Sequence, residues 1–93
     1  MWNTVWIVSL ITKGDVFTSL YSTRYAAHQL FLDLINLIKE KYPTAIMSTN
    51  NLLGGKGDAY CVIKDLDMQV TLTKHYVGKF YKQEDLEEIK NEI

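Results

Sequence analysis

The stretch from Ser22 to Tyr42, closed by Pro43, most restricts what this chain can become. Ser22 or Thr23 offers a side-chain oxygen to the unpaired amides of a helix start, and Pro43 cannot continue a helix. Advancing about 100° per residue, Ala27, Leu30, Phe31, Leu34, Leu37 and Ile38 form one apolar stripe, the spacing of a helix lying on a sheet. A helix of this span is about 28 Å long and crosses a small sheet from end to end.

The flanking segments supply that sheet. Thr4 to Thr12 and Val16 to Tyr21 are rich in β-branched and aromatic residues, and Lys13-Gly14-Asp15 between them predicts a hairpin turning on Gly14. In the first strand Trp6, Val8 and Leu10 share one face and Val5, Ile7 and Ile11 the other. With neither face polar, the pattern predicts a strand inside the sheet rather than at its edge. Thr44 to Thr49, Tyr60 to Lys64 and Gln69 to Val77 predict three more strands, the last two joined through Asp65 to Met68. Asn50 to Asp58, with Gly54, Gly55 and Gly57, is expected as a flexible connector. Leu86, Ile89 and Ile93 sit at helical spacing in an acidic tail and predict a short helix over 83–93. The order ββαβββα implies an α+β fold, an antiparallel sheet with one long helix packed on it and a short C-terminal helix. At 93 residues the expectation is one domain over 1–93.

Charge and cysteine content narrow the function classes. Ten Lys and Arg against eleven Asp and Glu leave −1, which excludes a basic footprint covering the whole molecule. Cys61 has no partner for an internal disulfide, which fits a reducing cytoplasm. No basic leader opens the sequence, and the apolar run Val5 to Ile11 is far below the roughly 20 residues that span a bilayer, so neither export nor a membrane partner is expected.

Chemistry is sparse. One cysteine and two histidines stand at no relay or ligand spacing, so the chain is expected to be no enzyme and to hold no metal or other cofactor. Asp65 and Asp67 are expected as solvated turn formers. The glycine-rich loop lacks the phosphate-cradle order, because Lys56 is followed by Gly57 and a strand instead of by Ser or Thr and a helix.

Two surfaces remain as candidates. On the long helix Tyr25, His28, Leu32 and Ile35 fall away from the main stripe, Leu32 about 160° from Leu34. Together with the loop residues Leu52 and Leu53 they are expected to contact another protein or a second copy of the chain, unless the terminal helix folds back over them. The expected role is a small inhibitor or regulator that occupies a partner's surface, of the kind a virus or mobile element carries. The alternative is a single-stranded nucleic-acid binder using Lys74, Tyr76, Lys79, Phe80, Tyr81 and Lys82, where lysines meet phosphates and rings stack on bases. Against it, the acidic tail that follows would repel phosphate within a Debye length of about 8–10 Å, and the same segment is expected as an edge strand whose lysines deter aggregation and whose rings pack on the core.

Overall fold

A computed structural model describes residues 2–78 and 83–92 of the chain, with side chains over 4–77 and 87–91. Its elements run β1 (Trp2–Thr12), β2 (Asp15–Tyr21), α1 (Arg24–Lys41), β3 (Ser48–Asn50), β4 (Ala59–Ile63), β5 (Met68–Gly78) and α2 (Gln83–Glu92). The fold is α+β, with the five strands in one antiparallel sheet ordered β2-β1-β5-β4-β3. The ββαβββα order anticipated from the apolar periodicities is the one observed. No helix among the described residues is long and apolar enough to cross a membrane.

Local chemistry places the ends of the elements. Gly14 takes the left-handed φ of 84° that reverses the chain between β1 and β2. Thr23 Oγ1 accepts the Ala26 amide at 3.3 Å and caps α1, while Tyr42 N–H closes on Ile38 O at 2.8 Å just before Pro43. Between β4 and β5 a single 3-10 turn, Lys64–Leu66, ends in Asp67 with φ 52°, a left-handed residue that aspartate tolerates.

The core lies between α1 and one sheet face. Ala27, Phe31, Ile35 and Ile38 from the helix meet Val8, Ala59, Cys61, Ile63, Val70 and Leu72 from the strands, all buried. The buried helical stripe is therefore rotated by roughly 50° from the expected one. Ile35, expected at the edge of an outward stripe, is only 1% exposed, and Leu37, expected in the core, is 59% exposed. The rotation has a cause in the fold. The 51–58 loop is bonded to the helix flank that carries Arg24 and His28, through Gly57 O and Leu52 O, while Leu37 on the opposite flank stays exposed.

Two further expectations change. Residues 44–47 form a turn and irregular chain, with Ala45 N–H on Tyr42 O, and the strand is reduced to Ser48–Asn50. Ala45 and Met47 pack towards the core while Ile46 points outward. The second concerns Lys74 to Gly78, expected in an edge strand: they belong to β5, the third strand of five. Its neighbour β4 reaches only to Leu72, however, so from Thr73 onward β5 pairs with β1 alone.

That mismatch in strand length gives the molecule its shape. Beyond Trp6 and Leu72 the β1–β5 pair continues as a two-stranded ribbon, and the molecule extends 50 × 29 × 18 Å. Its radius of gyration, 15.5 Å, exceeds the about 12 Å of a compact chain of this length. Where β4 gives out, Asp58 Oδ1 accepts the Lys74 amide at 2.9 Å, so a carboxylate takes over from the missing strand.

Cys61 is wholly buried, and burial pushes its thiol up from the ordinary 9.0, with the charge of Lys39 lowering it in part. The thiol is thus protonated across the neutral range. Phe31, at the centre of α1, is the largest side chain with no exposure. Phe31→Ala is expected to lower the unfolding free energy by about 3–5 kcal/mol, much of what a chain of this size has, and urea denaturation measures it.

Candidate functional site

Antiparallel partners share a face, so the register assigns every strand side chain to the helix side or to the open side of the sheet. On the open side one row runs Ser48, Val62, Gln69, Ile11, Val16. The next runs Asn50, Tyr60, Thr71, Ser9, Thr18. A third holds Thr73, Ile7 and Leu20, and Val5 with His75, then Val77, continue along the ribbon.

No Asp, Glu, Lys or Arg stands at any of these positions. Rows richer in Val, Ile and Leu enclose a row of mostly neutral hydroxyl and amide side chains, and Val16, Leu20, Tyr60 and Val77 stand exposed. A soluble sheet normally turns charges to water on its uncovered face, and depletion of charge is what distinguishes the centre of a protein interface. At about 4.8 Å between strands and 3.3 Å per residue, the face covers on the order of 600 Å². That approaches the about 800 Å² per partner of a standard interface. The sequence carried half of this signal, in the two apolar faces of 4–12, but the absence of charge depends on a register that brings five separate segments together.

The helix-side candidates are dispersed by the fold. Ile35 is core, and Leu32 is half-buried against it. His28 Nε2 lies 2.8 Å from Leu52 O, and its ring stacks on Phe31 with centroids 6.2 Å apart. Leu52 turns inward and lines a groove of about 460 Å³ with Lys39, Pro43, Ala45, Met47 and Thr49. Tyr25 and Leu53 remain outward, 76% and 80% exposed, on separate segments. Ile89 is exposed, while Leu86 and Ile93 lie outside the described side chains.

The loop expected to be flexible is tied down by side chains. Asn51 Nδ2 donates to Lys56 O at 2.7 Å and to Asp58 O at 3.0 Å, and Arg24 Nε donates to Gly57 O at 3.0 Å. Asn51 and Gly57 adopt left-handed φ values of 56° and 82°. A Cβ at Gly54 would overlap the Asn51 carboxamide, so glycine there is a packing requirement.

Of the basic-aromatic segment, Lys74 and Tyr76 lie on the helix side of β5, and Lys79, Phe80, Tyr81 and Lys82 lie outside the described residues. Lys74 Nζ is 5.9 Å from the Trp6 ring centroid and 5.4 Å from that of Tyr76, and Arg24 Cζ is 5.7 Å from Trp6. Arg24 Nη2 is buried with no hydrogen-bond partner among the described residues, and the Trp6 ring face compensates part of its charge. Thr73 Oγ1 and His75 Nε2, 2.8 Å apart, bond on the opposite face. Among the described residues no three His, Cys, Asp or Glu side chains converge as a metal site.

Comparisons of the chain with protein families, curated proteins and solved structures find no match.

Gly54→Ala is expected to displace the Asn51 carboxamide and release both carbonyls it holds. The expected cost is about 1–3 kcal/mol, with new protease cleavage over 52–57, measured by thermal unfolding and limited proteolysis.

Proposed function

We propose that this chain is a non-catalytic protein-interaction module that inhibits or regulates a partner protein by covering its surface with the open face of the sheet. The observation that carries the reading is the absence of charge from that face, set between exposed Val16, Leu20, Tyr60 and Val77. A partner with an apolar, uncharged contact surface loses no charge hydration on docking there, whereas a phosphate-bearing partner finds no cation at the paired strand positions, Lys64 standing only at the rim beside Ser48 and Val62. The residues that carry chemistry are engaged within the chain: His28 on a carbonyl, His75 on its open-side neighbour Thr73, Cys61 in the core. The proposed setting is the cytoplasm, where a lone buried thiol stays reduced.

A photo-cross-linking amino acid in place of Tyr60, compared with one in place of Tyr25, tests this in the native host. The expected result is one protein adduct of constant mass from position 60 only, lost when Thr71→Glu puts a charge on the face. Adducts only from position 25 would return the interface to the helix. No adduct from position 60 on a folded chain would end the proposal.

A second reading, single-stranded nucleic-acid binding, is favoured by one observation, the placement of Arg24 and Lys74 around Trp6 beside exposed Tyr76. Those rings could stack on bases while the cations meet phosphates. Titrating the chain with a fluorescent single-stranded oligonucleotide separates the two. The interaction-module reading expects no binding even at low salt. The second expects binding that falls steeply as salt rises and is lost in Lys74→Glu.

A further inference from the structure

We propose that two copies of this chain associate through β2, antiparallel edge to edge, into one continuous ten-stranded sheet. The inference concerns the edge of the sheet, which shares Val16 and Leu20 with the open face, and does not depend on that face binding a partner.

The two edges of the sheet are unequal. At one end β3 is three polar residues long, a short edge that offers little to pair with. At the other, β2 is seven residues, Asp-Val-Phe-Thr-Ser-Leu-Tyr, with continuous register against β1 from Thr12↔Asp15 to Trp6↔Tyr21. It has no lysine, proline or bulge, the devices that keep an exposed strand from pairing with another chain. Its side chains are apolar on both sides of the strand, with Val16 and Leu20 64% and 61% exposed and Phe17 60%.

The direction of the free backbone groups follows from the turn. A two-residue reversal makes Thr12 and Asp15 the closing hydrogen-bonded pair, so Phe17, Ser19 and Tyr21 bond inward to β1. Val16, Thr18 and Leu20 then aim N–H and C=O away from the sheet. The same alternation carried across β1 sends the Lys74 amide away from β1, where Asp58 accepts it, which checks the parity independently.

A second copy fits this edge. A two-fold axis at Thr18 pairs Thr18 with its own counterpart, Val16 with Leu20, Phe17 with Ser19 and Asp15 with Tyr21, using the strand from end to end. Every outward amide then meets an outward carbonyl. Val16 and Leu20 cover each other on the open side, and the acid at one end of the strand faces an aromatic ring instead of its own copy.

The test is mass by light scattering from about 1 μM to about 1 mM, with amide hydrogen exchange over the same range. The expected mass rises from 10.8 kDa towards twice that, and exchange at Val16, Thr18 and Leu20 slows in step while Tyr76 stays fast. Thr18→Pro removes an outward N–H and no β1 bond, so it is expected to keep the fold and raise the dissociation constant about tenfold or more. Thr71→Glu on the open face is expected to leave the mass doubled. A monomer throughout the range overturns the proposal, as does a doubled mass with fast exchange on β2 or a folded Thr18→Pro that dimerises like the parent. If Thr18→Pro fails to fold, exchange in the parent chain decides.

Discussion

The structure depends on one packing event, the seating of α1 through Ala27, Phe31, Ile35 and Ile38 on Val8, Val70, Leu72 and Cys61. Without it each partner is marginal. An isolated helix of this length forms poorly in water, and a sheet gains little until one face is dry. The strands brought together this way are, however, apolar on both faces in β1. One long helix dries one face, and Val5, Ile7 and Ile11 are left on the other with no equivalent element against them among the described residues. The unusual surface of the molecule is thus a direct consequence of its core: a strand suited to burial on both sides has a cover on one.

How far this could be read in advance depends on the range of each interaction. The Thr23 cap, the Gly14 reversal and the Pro43 stop are decided by neighbours within a few residues, and the sequence pattern places all of them. The rotation of α1 is decided by contacts between residues far apart in the chain, Arg24 with Gly57 and His28 with Leu52. Helical periodicity defines a stripe but not which flank a distant loop will cover, so Ile35 and Leu37 exchange their expected roles. Loop composition misleads for a similar reason. Three glycines and two asparagines describe a mobile segment equally well as one whose glycines give room to the Asn51 side chain and whose carbonyls receive its hydrogen bonds.

Strand order shows the same division. Val70 and Leu72 alternating with Gln69, Thr71 and Thr73 identify a strand with one dry and one open face, and β5 is such a strand. The alternation does not distinguish a central strand from an edge, because the wet face of either reads alike. Pairing decides that, and here it decides differently along one strand: β5 is central from Met68 to Leu72 and one-sided beyond. The charge-free face is the extreme case. Gln69, Ser9 and Tyr60 are unremarkable in their own segments, and their common neutrality has meaning only once register places them side by side.

The open face and the β2 edge meet along one line, since Val16 and Leu20 belong to both. Pairing at β2 would join the two open faces into one surface of roughly twice the area, from on the order of 600 Å² to about 1,200 Å². Sheet twist would limit how much of that a flat partner could cover, because neighbouring strands turn by about 20–25° and the turn accumulates across ten of them. A curved or helical partner surface laid along the two-fold axis would follow the saddle better than a rigid plane. Two partners, each on one half, would also be bound with no new contact between them. Edge pairing would then set the number and spacing of bound partners, while the side chains of the face would set their identity.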